Sequence, residues 1–301
     1  MLKHYLEEMF EPTLLYGLSL SVIGVAAAAH YGYFSASLGA LAIAGTVLAQ
    51  ISVNVISDYF DYSSGLDLEL GLNRKSSLAG GSTLIAKGLI KPRPALALGL
   101  LAFVSAAAIG TYLVMLRIQL LPILLIAALY ILLYSKYVKR IPYLSEPLCT
   151  LNYALMVIGA FIVVAGAQYL SYGVVLMAVS AGILLGGDAL YINEVPDSRL
   201  DRKYGVKHSV AMLRTARKIA IYYIAMQSAA YFLLVLSALG GMLPALSLLC
   251  LVTFISTPYI FSGLYRSDSK RYGIYLLMHT VSSIIFAILL CAALLWSTVI
   301  I

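Results

Sequence analysis

Charge is what this sequence has least of. Lys, Arg, Asp and Glu together supply 11% of its 301 residues, against about a quarter in soluble domains. Mean hydropathy is +0.95. A chain this poor in charge cannot keep water on all sides, which excludes a soluble enzyme, a nucleic-acid-binding domain and a disordered chain. The net charge of +7 suits an anionic lipid surface and requires no nucleic acid as partner. Cysteine is scarce too: Cys149, Cys250 and Cys291 stand apart without C-x-x-C spacing, so neither a disulfide framework nor a zinc site is expected. The four histidines, His4, His30, His208 and His279, are isolated and offer no paired haem or di-metal ligands. Residues 1–12 are charged and the first apolar run is a full span, so no cleavable signal peptide is expected.

What the sequence does have is long uncharged runs. A helix needs about 20 apolar residues to cross a bilayer core. Residues 12–57, 147–187 and 219–265 are each long enough for two spans, and 94–116, 118–135 and 272–301 for one each. Turn residues divide the doublets at Tyr31-Gly32-Tyr33, between Gln168 and Gly173, and from Gly240-Gly241 to Pro244. The runs are too long and too evenly apolar for barrel strands. The expected fold is all-α: a polytopic membrane protein of nine transmembrane helices in one bundle, forming a single domain over residues 1–301. With a cytoplasmic N-terminus, every one of the 20 basic residues except Arg117 falls on the inner side, as do all 13 acids. The C-terminus, with Trp296 near it, then faces out. The expected location is the cell membrane, with the active site toward the cytoplasm.

The chemistry must therefore lie in two long inner loops, about 58–93 and 193–218. Each opens with carboxylates and then turns basic. In the first, Asn54, Asp58 and Asp61 are spaced i, i+4, i+7, one polar stripe if the helix continues, and Gly65 then lets Asp67 fold back. In the second, Asn193, Asp197 and Asp201 are spaced i, i+4, i+8, although Pro196 disturbs a helix there. Like charges one turn apart repel, and acids at a membrane are costly and functional by default. A divalent cation would relieve both clusters. Oxygen ligands without Cys or His suit Mg²⁺, which is commonly completed by substrate phosphates. The residue types read as a diphosphate clamp: Asp58, Asp61, Asp67, Asn193, Asp197 and Asp201 around two or more Mg²⁺, with a basic fringe. Arg74, Lys91, Arg202 and Lys207 are candidate phosphate contacts and read equally well as topology charges. Asp188 is either a support for the site or a buried acid paired with an inner lysine; Glu146 and Asp268 read as surface residues.

The stretch N-V-I-S-D-Y-F-D-Y-S-S-G-L-D at 54–67 resembles the first aspartate motif of the UbiA superfamily of intramembrane prenyltransferases, in the form carried by the branch that prenylates 1,4-dihydroxy-2-naphthoate in menaquinone synthesis. I-N-E-V-P-D-S-R-L-D-R-K-Y-G at 192–205 resembles the second motif, and L-L-Y-S-K-Y-V-K-R at 132–140 a segment after the fourth helix. The resemblance implies nine helices and transfer of a prenyl group from a prenyl diphosphate to an acceptor through an allylic carbocation. It implies catalytic roles for Asp61, Asp67, Asp197 and Asp201 in holding Mg²⁺, and substrate-binding positions at Asn54, Ser57, Asp58, Tyr134, Ser135, Lys139, Asn193 and Glu194. Two departures stand out: Ser57 replaces the family's usual Asn, and G-V-K-H-S at 205–209 replaces G-K-R-T-L. The expected acceptor is an aromatic quinone precursor. A glyceryl phosphate ether-lipid precursor is the alternative acceptor, and a cation-coupled secondary transporter the alternative from another class. The lipid bilayer is itself a partner, supplying the prenyl tail.

Overall fold

A computed structural model describes residues 2–73 and 81–299. Among these residues every regular element is a helix: α1 (Leu2–Met9), α2 (Leu14–His30), α3 (Ala36–Ser63), α4 (Leu66–Asn73), α5 (Pro92–Leu116), α6 (Ile118–Leu133), α7 (Ser145–Ala165), α8 (Tyr172–Glu194), α9 (Ser198–Lys203), α10 (Ser209–Leu213), α11 (Ala216–Leu239), α12 (Ala245–Tyr265) and α13 (Tyr272–Val299). Seven of them are long and apolar enough to cross a membrane, and α1 with α2, bent by 48°, makes an eighth if counted as one span. The run expected as a span at 118–135 forms α6, which is shorter. It opens with a tight three-residue turn and then meets Pro122. At 1.5 Å per residue it reaches roughly 25 Å, less than the ~30 Å of a hydrocarbon core.

The breaks between helices follow local chemistry. The turns at 31–35, 166–171 and 240–244 fall where the turn residues are. Ser35, Ser171 and Thr215 cap α3, α8 and α11, each side-chain oxygen accepting a backbone N–H from the first turn. Such caps are worth about 1 kcal/mol each.

Helices α2, α7 and α8 form the centre of the bundle, with Leu20, Ile23, Phe161, Met177 and Leu185 sealed from solvent. Helix α5 turns Leu101, Val104 and Met115 outward, as a lipid-facing helix should. In lipid the hydrophobic effect gives helices no reason to associate, so close packing and interhelical hydrogen bonds carry the bundle. Those bonds include Tyr16 to Thr280 at 2.8 Å, Tyr231 to Thr253 at 2.6 Å, Thr257 to Gln227 at 3.0 Å and Ser282 to Ser256 at 2.9 Å. Each contributes about 0.6 kcal/mol on average in comparable bundles. Gln227 also donates to Asp188, which is fully buried on α8. Asp188 is therefore a packing acid held by an amide, with no lysine partner among the described residues.

Helix α8 contains one wide turn. The N–H of Asp188 reaches back five residues to the carbonyl of Ile183. Such π-bulges recur beside functional sites, and this one lies just before the second acid cluster.

Candidate functional site

The first cluster is built on an unbroken helix. Helix α3 runs past Asn54, Asp58 and Asp61 to Ser63, which makes the expected stripe. Gly65 then takes φ +83°, a conformation open to glycine at no steric cost. This reverses the chain and puts Asp67 in the first turn of α4. Asn54 accepts from Gln50 at 3.0 Å and donates to Thr13 at 2.7 Å. Asp58 is buried under the segment that follows the undescribed residues 74–80: its Oδ2 accepts the N–H of Ser82 at 2.8 Å. Gly81 lies so close that a Cβ there would sit 2.0 Å from Asp58 Oδ1. The Ser82 hydroxyl in turn donates to Glu8 of α1. Asp58 thus fastens a loop and a terminal helix while remaining on the cavity wall.

Asp61 carries the cluster's ion pair. Lys139 Nζ lies 2.5 Å from its Oδ2 and also donates to Ser57 Oγ at 3.2 Å. Ser135 Oγ donates to the same Ser57 oxygen at 2.7 Å. Ser57 is therefore a junction between α3 and the 134–140 segment. Burial works against the charge of Lys139, but Asp61 first, then Asp201 and Asp67, outweigh it and hold the ammonium above the ordinary lysine range. The Tyr134 ring lies 5.3 Å from the same Nζ.

The second cluster has the same sequence spacing and a different scaffold. Helix α8 ends at Glu194, a turn carries Pro196, and α9 begins at Ser198. Asn193, Asp197 and Asp201 therefore do not share one helix. A proline lacks the donor that would continue the ladder. The cluster is braced by a histidine that itself reaches the cavity wall. His208, 1% exposed, donates from Nε2 to Asp201 Oδ2 at 2.9 Å, while its Nδ1 accepts the N–H of Ala211 at 3.1 Å. The next residue, Ser209, donates both its N–H and its hydroxyl to Glu146, each at 2.8 Å. Glu146 is fully buried at the start of α7, which corrects its reading as a surface residue. Its partner Ser209 lies 63 positions away in sequence and is sealed with it.

Both clusters open on one cavity of about 790 Å³. Asn54, Ser57, Asp58, Asp61 and Asp67 line one side, Asn193, Glu194, Asp197 and Asp201 the other, with Tyr134 and Lys139 between. Ser135 stands behind Ser57. Two cross-ties hold the sides together: Glu69 of α4 accepts from Lys203 at 2.6 Å and Tyr204 at 2.8 Å, and Leu66 packs on Val206. The Lys203 and Tyr204 donors keep the Glu69 carboxyl below the usual carboxylate range. Deeper walls carry Tyr16, Tyr130, Cys149 and Tyr153, which sequence reading did not single out. Val53 lines this cavity and also an adjoining apolar groove walled by small residues, among them Gly45, Ala49, Ala106, Gly110 and Gly159.

The basic candidates fare differently. Arg74 lies outside the described residues. Lys91, Arg202 and Lys207 are exposed and are not on the cavity wall. Arg202 follows Asp201 on α9, and a helix turns each successive side chain by about 100°. Lys207 is fixed through its backbone, whose N–H donates to Lys139 O at 2.7 Å.

The donor set fits a hard divalent cation. Among the described residues, the wall carries eight carboxylates, Glu7, Glu11, Asp58, Asp61, Asp67, Glu194, Asp197 and Asp201, against Lys139 as its one Lys or Arg. Oxygen donors of this kind suit Mg²⁺. Glu146, Glu194 and His208 also bring ligand-type atoms within 4.8 Å of one another. Two of the three are engaged with other groups, since both imidazole nitrogens and both Glu146 oxygens are already hydrogen-bonded, while Glu194 Oε2 lies 3.2 Å from His208 Nδ1.

Among curated proteins none matches the sequence. Solved structures do match in fold. A UbiA homologue from Aeropyrum pernix K1, in its apo form, aligns with a TM-score of 0.69 at 18% identity, covering 93% of this chain and 96% of that one. A UbiA homologue from Archaeoglobus fulgidus bound to DMAPP and Mg²⁺ aligns with a TM-score of 0.60 at 14% identity, covering 97% and 99%. A digeranylgeranylglyceryl phosphate synthase aligns with a TM-score of 0.58 at 18% identity, covering 95% and 98%. The profile of the UbiA prenyltransferase family matches residues 18–279, a stretch that contains both acid clusters, the 134–140 segment between them and the brace on Asp201; the chain belongs to that family and is a prenyltransferase.

Proposed function

We propose that this protein transfers a prenyl group from a prenyl diphosphate to an aromatic quinone precursor, in an Mg²⁺-dependent reaction at a cavity that opens toward the cytoplasm. The observation that carries this reading is the meeting of two acid clusters on one cavity that has Val53 as a wall in common with an adjoining apolar groove. A diphosphate head and a hydrocarbon tail need those two surfaces side by side.

Asp61, Asp67, Asp197 and Asp201 would hold Mg²⁺, with Asp58 and Asn193 beside them. Bound there, Mg²⁺ neutralises charge on the leaving diphosphate. The chain's own residues do the rest. Lys139 adds a fixed positive charge beside Asp61, kept in place by Ser57 and backed by the Tyr134 ring. A preorganised charge of this kind stabilises what develops in the transition state and needs no rearrangement. The allylic C–O bond breaks with its electron pair leaving on diphosphate. A ring carbon of the acceptor takes up the allylic cation and then releases its proton. The small apolar residues of the groove keep water from the cation and shelter the tail. Tyr16, Tyr130 and Tyr153 give the inner wall flat faces suited to an aromatic ring, and the D-Y-F-D-Y-S-S-G-L-D form of the first motif favours a naphthoate-type acceptor.

The test is direct. Purified protein in nanodiscs receives labelled geranylgeranyl diphosphate with dihydroxynaphthoate, hydroxybenzoate, homogentisate or a singly prenylated glyceryl phosphate ether, in Mg²⁺ or in EDTA, and products are identified by mass. Prenylated aromatic product in Mg²⁺ and none in EDTA is expected. Product from the glyceryl phosphate ether alone would move the assignment to ether-lipid synthesis. No diphosphate release under any condition, together with substrate-coupled ion flux in liposomes, would overturn the proposal in favour of a transporter.

A further inference from the structure

We propose that His208 is a positioning residue for the cation site, its Nε2–H fixing the Asp201 carboxylate on the cavity wall. The inference rests on the functional reading above, in which Asp201 holds Mg²⁺.

The imidazole lies between two carboxylates. Nδ1 faces the Ala211 N–H at 3.1 Å and Glu194 Oε2 at 3.2 Å, while Nε2 faces the Asp201 carboxylate, which can only accept, so Nε2 carries a proton. Nε2 then donates to Asp201 Oδ2 at 2.9 Å. The ring is 1% exposed and cannot swing into solvent. The backbone of the two residues before His208 is pinned by three bonds. Val206 N–H donates to Asp201 O at 2.9 Å, Lys207 N–H to Lys139 O at 2.7 Å, and Tyr143 N–H to Lys207 O at 3.2 Å. Ser209 is anchored to buried Glu146 through two bonds of 2.8 Å. One turn of chain therefore links Asp201, the strand of backbone carrying Lys139, and the rigid start of α7.

Asp201 needs such a hold. It stands on a six-residue helix, α9, beyond a proline break, and shares a wall with like charges that push it away. Asp61, on the continuous α3, has a lysine to hold it. Groups that orient a metal ligand from behind change metal affinity by about 10–100-fold when removed. The position is also one where this chain departs from the motif it resembles, reading G-V-K-H-S.

The rival role is that of a helix cap alone, since the same Nδ1 bond caps α10. Two substitutions separate the roles. H208N keeps a short-chain oxygen for the Ala211 N–H and loses reach to Asp201. H208Q keeps a long-chain N–H for Asp201 and gives up the cap. Mn²⁺ binding is titrated by electron paramagnetic resonance on the full-length protein in nanodiscs, with a non-reactive prenyl thiolodiphosphate present, alongside the thermal midpoint. H208N is expected to weaken Mn²⁺ binding about 10–100-fold with little change in midpoint, and H208Q to bind close to wild type. Equal binding by wild type and H208N overturns the positioning role and leaves the functional reading standing. Equal weakening in both variants with a lowered midpoint makes His208 a cap and also overturns it. Should H208N fail to fold, near-wild-type affinity in H208Q supports the proposal and its loss refutes it. Absence of Mn²⁺ binding in the wild type would instead count against the functional reading itself.

Discussion

The two acid clusters share a pattern and differ in everything that supports it. Asn54 and Asp58 sit on a straight helix that keeps its ladder through Asp61. Asn193 and Asp197 straddle a proline turn. The first cluster is held by a cation and by backbone: Lys139 at Asp61, the Ser82 N–H at Asp58. The second is held by an imidazole that is itself locked by Ala211. The difference teaches that residue spacing specifies the chemistry a cluster can perform, whereas its aim is set by partners far away in sequence.

That comparison can be broken most decisively at the carboxylates. If both clusters serve one diphosphate, D61N and D197N should each lower turnover by on the order of 10²–10³-fold, with the helical circular dichroism unchanged. Wild-type turnover in one of the pair would mean that only the other cluster works. Lys139 gives the next largest effect. K139M leaves Asp61 half-buried beside its fellow acids, and breaking the pair from one side should cost up to about 3 kcal/mol, the figure for a fully buried pair, read as a lower thermal midpoint in the absence of metal and partly recovered with Mg²⁺. The pH dependence has a definite sign. The ammonium is held above the ordinary lysine range, so its contribution is complete below the unfolded-state pKa of about 10.4 and is lost only as pH rises through the higher folded value. The gap in midpoint between wild type and K139M should therefore be flat through neutral pH and close only in strong alkali; a gap that closes near neutrality would show that another group holds Asp61. The smallest effect is expected from E69Q. The tie from Glu69 to Lys203 is exposed and screened, so turnover and midpoint should stay near wild type. A several-fold loss of turnover there would show that this tie sets the distance between the clusters.

Much of the architecture could be read from residues alone. The divided apolar runs became α2 and α3, α7 and α8, α11 and α12, with breaks at the turn residues. The stripe of Asn54, Asp58 and Asp61, and the reversal at Gly65, follow from helix geometry and one glycine. Other features were out of reach for physical reasons. Lys91, Arg202 and Lys207 read two ways in sequence, because the inner-side excess of basic residues and phosphate binding call for the same side chains; the fold places all three exposed and off the cavity wall. Glu146 looked superficial because an isolated acid beside a proline reads as solvated, and only the fold supplies Ser209. His208 looked solitary because the carboxylates it meets converge through the turn at Gly205 rather than through any helical period.

One lysine among eight carboxylates on the described wall also bears on the order of events. Inside the basic fringe that gives the inner face its excess of positive charge, a free pyrophosphate ester that reaches this wall meets carboxylates of its own sign within a Debye length. Lodging there in bare form should be disfavoured against lodging with a divalent cation. The vestibule would thereby discriminate between a naked anion and one already escorted by its counter-ion, filtering before any bond is touched.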